Sequence, residues 1–155
     1  MSFQTIFKRY ELKYILSKEQ KKKMSEWIEP YMRLDKYGRT TIRNIYFDTE
    51  NYRLIRRSIE KPSYKEKLRV RSYANASDQV FVEIKKKYKG VVYKRRIALP
   101  LKKAKDYLEK GIVPEDSQIM REIEYAMKFY GFPQPKMMIA YEREAFYVKD
   151  VAGLR

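Results

Sequence analysis

The sequence predicts an α+β domain built on an antiparallel sheet, and three observations support this fold class. Residues 65–73, 80–88 and 91–99 alternate charged with apolar side chains at the period of two that is typical of β-strands. Turn-forming residues, among them Asn75 and Gly90, separate these segments. Helical patterns flank them on both sides, and 155 residues with 44% apolar content are enough for one packed core.

The three predicted strands 65–73, 80–88 and 91–99 form an antiparallel meander. The chain before this meander begins with a strand and a helix. Residues 7–16 alternate apolar with charged side chains, which predicts the first strand. Ser17 followed by Gln20 is a capping-box pattern, so we expect a helix to begin there. That helix should be about 12 residues long, because its apolar positions recur at helical spacing only until Pro30 disturbs the pattern.

A second strand and a short helix complete the part of the chain that precedes the meander. Residues 41–47 are rich in β-branched and aromatic side chains, which favour a strand. Asp48 or Thr49 can cap the helix that follows, because both side chains accept backbone N–H bonds. The apolar positions of this helix are Tyr52, Ile55 and Ile59.

Two helices and a last strand follow the meander. A short helix ends at Gly111, and Asp116 or Ser117 opens a longer one that ends at Gly131, since glycine favours the left-handed conformation that terminates helices. Residues 136–148 are predicted to form one long strand. No repeat or flexible linker interrupts these elements, so we expect a single domain over residues 1–155.

Charge and composition narrow the function classes. The sequence has 36 Lys and Arg against 20 Asp and Glu, a formal net charge of +16, of which +11 lies in residues 61–103. Such a concentrated field attracts polyanions, so the expected partner is nucleic acid, an anionic membrane or a polyanionic small molecule. The absence of cysteine and histidine excludes thiol chemistry, thiolate zinc sites and Ser-His catalysis.

The sequence also predicts a soluble, cytoplasmic protein without a transmembrane segment. No apolar run approaches the roughly 20 residues that a membrane-spanning helix needs. The first ten residues lack the apolar stretch of a signal peptide.

The strands of the meander sort charge onto one face. Arg69 and Arg71 alternate with apolar residues, and Glu83, Lys85 and Lys87 do so in the next strand. The simplest interpretation is that this face meets water, as in most antiparallel sheets. A solvated face usually mixes both signs, however, whereas this one carries many cations and few acids. The alternative is that these side chains converge on phosphate, which Arg binds as a fork and Lys as a point charge.

Two carboxylates lie within the basic segments. Glu11 lies between Arg9 and Lys13, and Glu83 precedes Lys85 by two residues. A hard Mg²⁺ or Mn²⁺ that bridges protein and phosphate needs such oxygen ligands. A structural ion pair between each Glu and its basic neighbours explains the same pattern. The sequence contains neither a GxxxxGKS/T loop nor a GxGxxG turn, so the two common nucleotide-binding loops are absent.

Five segments taken together resemble the VTC domain of polyphosphate polymerases, which belongs to the CYTH, or triphosphate tunnel metalloenzyme, superfamily. Each segment alone is a weak signal, but the combination is specific and covers nearly the whole chain. The segments are residues 7–14 (FKRYELKY), 45–49 (IYFDT), 65–73 (KEKLRVRSY), 82–87 (VEIKKK) and 141–146 (YEREAF). The resemblance implies an antiparallel β tunnel or barrel with a basic interior and with helices packed outside.

The resemblance also implies roles for individual residues. Phosphate contacts that serve catalysis would come from Lys13, Arg69, Arg71, Lys85 and Arg143. Additional substrate-binding residues would be Lys65, Lys67, Lys87, Lys94, Arg96 and Lys136. The cofactor Mn²⁺ or Mg²⁺ would be held by Glu11 and Glu83. The first-strand signature of the superfamily is ExExK, and this chain has Arg9 in place of its first acid, which leaves Glu11.

The activity that the resemblance implies is transfer of the γ-phosphoryl group of ATP to a growing inorganic polyphosphate chain. The alternatives are hydrolysis of tripolyphosphate or of a nucleoside triphosphate, and a non-catalytic module that binds polyphosphate or RNA. Many tyrosines lie opposite the charged side chains, which favours core packing over base stacking, so no specific nucleic-acid partner is expected.

The resemblance finally implies what the chain lacks. Relatives continue past the region of Arg155 into further strands and a closing helix, so we expect a domain without these C-terminal elements. Its open sheet edge would favour a homo-oligomer.

Overall fold

A computed structural model describes residues 12–74 and 78–149, together with the backbone of Ile6–Phe7. Its strands are β1 (Ile6–Phe7), β2 (Met32–Leu34), β3 (Thr40–Asp48), β4 (Tyr64–Tyr73), β5 (Gln79–Tyr88), β6 (Val91–Pro100), β7 (Gln134–Arg143) and β8 (Phe146–Val148). Its helices are α1 (Lys18–Ile28), α2 (Arg53–Ile59), α3 (Leu101–Lys110) and α4 (Gln118–Phe129). In the part of the chain that the structure describes, no helix is both long and apolar enough to cross a membrane.

Six strands form one sheet in the order β1-β6-β5-β4-β3-β7, and every neighbouring pair is antiparallel. β2 and β8 form a separate two-stranded antiparallel sheet. The predicted fold class, an α+β domain with an antiparallel sheet and helices packed on it, is confirmed. The described strands form an open sheet with β1 and β7 at its edges, rather than the closed tunnel that the resemblance implies.

The predicted meander forms β4, β5 and β6, each within one residue of its expected bounds. The turn between β5 and β6 consists of Lys89 and Gly90, which have positive φ values of 45° and 86°. Two left-handed residues in succession give the tight turn whose twist matches that of paired strands. This turn brings Tyr88 opposite Val91 and thereby fixes the register of β5 on β6.

The hydrophobic core lies between one face of the sheet and the helices. Even-numbered residues of the two central strands, such as Leu68, Val82 and Ile84, are buried in it. Burial of each such side chain contributes about 1.5–3 kcal/mol, so this face and the helices hold each other in place. The helices contribute Leu54, Ala104, Tyr107, Met120, Ile123, Ala126 and Met127.

The predicted helices after Ser17 and before Gly111 and Gly131 are confirmed as α1, α3 and α4. The Ser17 hydroxyl accepts the backbone N–H of Gln20 at 3.2 Å, and the Gln20 side chain accepts the backbone N–H of Ser17 at 2.8 Å, which completes the capping box. Ser117 is the N-cap of α4. Gly111 and Gly131 have positive φ values of 71° and 69° at the ends of α3 and α4, as the sequence predicted.

The buried side chain of Asp48 organises the start of α2 from outside the helix. Its carboxylate accepts the backbone N–H groups of Leu54 at 2.9 Å and Ile55 at 3.0 Å. The Thr49 hydroxyl accepts the backbone N–H of Arg53 at 2.9 Å. Both residues predicted as caps therefore satisfy backbone donors of the first turn, although neither occupies the N-cap position itself.

The predicted strand over residues 7–16 is wrong for most of its described part. Only the backbone of Ile6–Phe7 is a strand, paired with β6, whereas residues 12–17 are irregular and exposed. Residues 8–11 lie outside the described residues. Leu12 is 79% exposed and Tyr14 is 76% exposed, so the apolar side of the alternation has no surface to pack against. Alternation without such a surface does not specify a strand.

The predicted strand over residues 136–148 is two strands. β7 pairs with β3, whereas β8 pairs with β2, and Glu144 and Ala145 separate them. β2 contains only three residues. Such a short strand carries no recognisable periodicity, so the sequence did not indicate a second partner that would draw the chain away from β3.

Replacing Asp48 by Ala should lower the free energy of unfolding by about 2 kcal/mol, because buried backbone N–H groups of α2 lose their acceptor. The control Ser17→Ala removes an exposed cap and should cost about 1 kcal/mol or less. Urea unfolding followed by circular dichroism measures both changes. Equal losses in the two variants would contradict the role of Asp48 at α2.

Candidate functional site

The face of the sheet opposite the core is cationic. Side chains alternate along each strand and paired residues point to the same side, so the register identifies the members of this face. Its cross-strand pairs include Lys65 with Lys87, Lys67 with Lys85, and Arg69 with Glu83. The term basic face denotes eight side chains of β4, β5 and β6: Lys65, Lys67, Arg69, Arg71, Lys85, Lys87, Lys94 and Arg96.

Glu83 lies at the centre of the basic face and is buried. Its Oε2 atom accepts from Arg69 Nε at 2.7 Å and lies 2.6 Å from Arg69 Nη2. Its Oε1 atom lies 3.1 Å from Lys94 Nζ. Glu83 is 1% exposed, so these contacts compensate a carboxylate that water does not reach. The ion pair that the sequence left open for Glu83 is therefore present.

The pKa values in this cluster show which charges dominate. Burial alone would raise the pKa of Glu83, but the nearby charges of Arg69, Arg71 and Lys94 together lower it. Burial lowers the pKa of Lys94, with Arg71 and Arg96 adding to this shift, and Glu83 opposes it. The pKa of Arg69 is raised, because Glu83 and then Tyr46 outweigh its burial. Glu83 therefore favours the charged forms of Arg69 and Lys94, although burial still leaves the pKa of Lys94 lowered.

Arg71 is held in place by neutral groups. It is 7% exposed, its Nε donates to Asn44 Oδ1 at 2.9 Å, and its Nη2 donates to the Tyr141 hydroxyl at 3.5 Å. Asn44 is oriented in turn, since its Nδ2 donates to the backbone oxygen of Ile139 at 3.2 Å. Both partners of Arg71 in the described part of the chain are uncharged, so its positive charge is oriented but not neutralised by them.

Arg143 lies at one end of this side of the sheet. It is exposed, and it lines a cavity of about 460 Å³ together with Arg96. The cavity adjoins the end of the basic face at which Arg71 lies, whereas Lys65 and Lys87 occupy the opposite end. The basic face therefore has two chemically different ends.

The structure brings most of the expected lysines and arginines together. The basic face contains three of the five residues expected in catalysis, Arg69, Arg71 and Lys85, and Arg143 lies at its end. Five of the six additional substrate-binding residues belong to it as well: Lys65, Lys67, Lys87, Lys94 and Arg96. Lys65 is at the rim, and its Nζ donates to the backbone oxygen of Ser58 at 3.1 Å.

Two of the expected residues lie elsewhere. Lys13 is exposed in the irregular segment before α1, because the strand that would have placed it is not formed there. Lys136 lies where the register of β7 shifts against β3, and its Nζ is 5.5 Å from the ring centroid of Tyr52 at the start of α2. Lys136 and Arg143 are seven residues apart, so alternation along β7 places them on opposite sides of the sheet, and Lys136 is the extra residue at the register shift.

Three neutral residues of the site were missed by the sequence analysis. Asn44 and Tyr46 of β3 and Tyr141 of β7 hold Arg69 and Arg71, with the Tyr46 hydroxyl 3.1 Å from Arg69 Nη1. The periodicity of residues 41–47 does not place the two β3 residues on the charged side, because Ile42 shares their side of the strand and Arg43 lies on the other.

The described residues do not form a metal centre of their own. A cation held by protein oxygens needs several carboxylates in one place, and in residues 12–74 and 78–149 no group of three or more such ligands is found. Within β4, β5 and β6, Glu83 is the one acid on the basic side, and cations engage both of its oxygens. This donor set does not fit a divalent cation at Glu83. Glu11, the other expected ligand, lies outside the described residues.

The fold and the site together define an α+β domain whose open antiparallel sheet is apolar under its helices and cationic on the other side. The sequence model of the VTC domain family matches residues 8–155, nearly the whole chain. The chain therefore belongs to the VTC domain family, which confirms the resemblance seen in the sequence.

A solved structure shares the fold. It is a crystal structure at 2.12 Å resolution described as a "putative adenylate cyclase" from Bacillus halodurans, with a TM-score of 0.57 and 17% sequence identity. The match covers 90% of this chain and 64% of that one, so this chain spans somewhat less than two thirds of its length. Comparison with curated protein sequences gave no significant match.

Replacing Glu83 by Gln should lower the free energy of unfolding by about 3 kcal/mol at pH 7, because it leaves buried cations without their counter-ion. The lowered pKa of Glu83 means that its contribution is fully present above the ordinary glutamate pKa of about 4.3 and is lost as the pH falls below it. The difference between wild type and variant should therefore shrink in acid.

Glu142→Gln is the matched control, because the Glu142–Arg39 ion pair is more than half exposed and should contribute at most about 1 kcal/mol. Denaturant unfolding at several pH values measures both variants. A Glu83→Gln loss that is as small as the control, or that does not change with pH, would contradict the role of Glu83 as a buried counter-ion.

Proposed function

We propose that the basic face binds the triphosphate of ATP and a polyphosphate chain, and that this VTC domain transfers the γ-phosphoryl group of ATP to that chain. The observation that carries the proposal is the imbalance of charge on this face. Among the side chains that β4, β5 and β6 themselves contribute to this face, eight are cations and one, Glu83, is a carboxylate. A linear polyanion of closely spaced negative charges is the ligand that complements such an array.

The cations of the other side of the sheet provide the comparison. Lys86 lies 3.9 Å from a carboxylate oxygen of Glu66 and 4.0 Å from one of Glu122, and Arg95 Nε lies 3.5 Å from the same oxygen of Glu122. Cations that serve packing are thus matched with acids in this domain. On the basic side, the charged residues that these three strands contribute are eight cations and one acid, and this excess supports an external polyanion as a further partner.

The individual residues would play different parts in the transfer. Arg71 and Arg69 are oriented by fixed partners, so they would hold the triphosphate without the entropy cost of ordering a free side chain. Lys85 and Lys94, paired across β5 and β6, would bind the phosphoryl oxygens as point charges. Fixed positive charge of this kind stabilises the negative charge of the transferring group.

The reaction itself needs no protein nucleophile. A terminal phosphate oxygen of the chain attacks the γ-phosphorus of ATP and forms a new P–O–P bond. The bond between the γ-phosphorus and the bridging oxygen breaks, and ADP leaves with that oxygen. Positioning and charge compensation carry most of the catalysis in such transfers, which suits a chain without histidine or cysteine.

The expected cofactor, Mn²⁺ or Mg²⁺, stays a prediction. Because the donor set at Glu83 does not fit a divalent cation, we assign no step of the transfer to a metal. The part of Lys13 in orienting the transferred group stays a prediction as well.

Three further expectations also stay predictions: a single domain over residues 1–155, a cytoplasmic location and a homo-oligomer. The support for the oligomer is β7, whose ten residues are all exposed at the edge of the sheet. An edge strand presents N–H and C=O groups that another strand can pair with.

Incubation of the purified protein with ATP and Mn²⁺ tests the proposed activity, with the products resolved by gel electrophoresis. Long polyphosphate together with ADP is the expected result. Free phosphate without chains would replace the proposal by the hydrolase. Tight binding without turnover would replace it by a binding module, and competition between polyphosphate and RNA at several salt concentrations would then identify the ligand.

Replacing Lys85 by Gln should weaken the binding of polyphosphate roughly tenfold or more, because one charge-assisted phosphate contact is lost. The neighbouring Lys86→Gln is the matched control. It removes the same charge from the same strand, but Lys86 lies on the opposite side of the sheet, where it pairs with Glu66 and Glu122. Isothermal titration calorimetry measures both. Equal weakening would show that total charge, rather than the basic face, governs binding.

A further inference from the structure

Several aromatic side chains on the helix side of the sheet stay exposed. Tyr125 and Phe129 lie one turn apart on α4, 68% and 52% exposed, and their rings are stacked with centroids 6.2 Å apart and an angle of 18° between planes. Tyr88, at the end of β5, is 46% exposed and meets the ring of Tyr64 edge to face at 6.4 Å. Core packing, which the sequence analysis expected for tyrosines opposite the charged side chains, does not account for Tyr88.

Contacts beneath these rings hold them in place. The hydroxyls of Tyr64 and Tyr130 both donate to the buried carboxylate of Glu66, that of Tyr130 at 2.5 Å. Phe129 packs edge to face on Tyr130, with their centroids 5.0 Å apart. The rings of α4 and the ring at the end of β5 are therefore anchored, through two tyrosines, to the same carboxylate. Rings held in this way lose little conformational freedom when a ligand packs against them.

Three exposed cations accompany the rings. The Arg53 guanidinium lies 5.5 Å from the ring centroid of Phe129, and Lys89 Nζ lies 5.4 Å from that of Tyr88. Arg57 follows Arg53 by one turn on the same side of α2. The term outer patch denotes the three exposed rings and these three cations: Tyr88, Tyr125, Phe129, Arg53, Arg57 and Lys89.

The positive charge of the outer patch is not matched within the described part of the chain. Glu122 and Glu124, two acids of the neighbouring α4, each lie within 4.0 Å of a lysine outside the patch. Among the described residues, no ion pair involves Arg53, Arg57 or Lys89. An anion from outside the chain is therefore the charge complement of the patch.

Exposed ring faces beside cations favour one class of anion. Single-stranded nucleic acid offers bases that stack on aromatic rings and phosphates that pair with Arg and Lys. Polyphosphate has charge but no ring. A helix that lies on a membrane needs a continuous apolar face, whereas the apolar residues of α4, Met120, Ile123, Ala126 and Met127, are buried in the core.

We propose that the outer patch binds single-stranded nucleic acid, with bases stacked on its three rings and phosphates against its three cations. The patch lies on the helix side of the sheet, opposite the basic face, so this binding goes beyond the proposed transfer and does not depend on it. Stacking and phosphate contacts are common to all four bases, so the patch binds without reading base identity.

Fluorescence anisotropy with a labelled oligouridine RNA of about ten nucleotides tests the proposal. Tyr125→Ala should weaken binding roughly fivefold or more, the effect of one lost stacking contact. Tyr37→Ala is the matched control: the same change at a tyrosine that is 61% exposed, but at the Arg143 end of the basic face. It should leave the affinity at the wild-type value.

The results separate this proposal from its rivals. Wild-type protein that does not bind the RNA, or an unchanged affinity in Tyr125→Ala, would overturn it. Weakening in Tyr37→Ala as large as in Tyr125→Ala would place the RNA on the basic side and overturn it too. Sedimentation with phosphatidylglycerol vesicles that depends on Tyr125, without RNA binding, would replace the nucleic acid by a membrane. The polyphosphate affinity of Tyr125→Ala should equal that of wild type, so the proposed function is judged separately.

The salt dependence of RNA binding tests the cations. Arg53→Gln should reduce the slope of log affinity against log salt concentration by roughly one, because one phosphate contact is lost. Arg121→Gln is the control, since Arg121 is exposed on α4 and pairs with Asp116 outside the patch. A slope that stays unchanged in Arg53→Gln would contradict the phosphate contact.

Photo-crosslinking of the wild-type protein to an RNA that contains 4-thiouridine gives a measurement that does not depend on a variant's folding. The crosslinks should map to Tyr125 and Phe129 on α4 and to Tyr88 at the end of β5. Crosslinks confined to the basic face, around Arg69 and Lys85, would overturn the inference.

Discussion

The buried ion cluster of Glu83 with Arg69 and Lys94 is the interaction on which the cationic side of the sheet depends. Three strands meet there, and each contributes one charged side chain: Arg69 is directly opposite Glu83, and Lys94 reaches Glu83 diagonally from the position opposite Lys85. Without the carboxylate, these cations and Arg71 would repel one another in a poorly solvated place. With it, the array keeps a large net positive charge and still has a fixed geometry, so it can receive an anion without first being rebuilt.

On the other side of the sheet, buried charge is compensated by hydrogen bonds within the protein. The buried carboxylate of Glu66 accepts hydrogen bonds from the hydroxyls of Tyr64 and Tyr130, and burial together with these bonds raises the pKa of both tyrosines. Polar groups under the helices are thus paired within the protein and serve packing. A protein usually departs from such internal pairing where function requires it. On the basic side, β4, β5 and β6 contribute eight cations and one acid, within a sheet whose other face supplies the stability.

The sequence predicted the parts of this fold that depend on local pattern. Alternation predicted β4, β5 and β6, and it placed Arg69 with Arg71 and Lys85 with Lys87 on the charged side of their strands. The capping box at Ser17 and the glycines that end α3 and α4 could also be predicted from the sequence, because they satisfy local requirements of the backbone. The pairing of Glu83 with Lys94 is different. It joins residues of two strands, and the sequence offered several lysines as partners with equal plausibility.

The predictions from sequence failed where contacts between distant parts of the chain determine the structure. Residues 7–16 alternate much as β4 does, yet Leu12 and Tyr14 on the apolar side find no apolar surface, so Lys13 is not placed on the sheet. Lys136 and Arg143 are an odd number of residues apart in β7, so strand alternation cannot place both on the basic side of the sheet. A residue type at the right spacing is therefore a candidate only, and a neighbouring strand in register is what makes it part of a site. The eight cations of the basic face meet that condition, and Lys13 and Lys136 do not.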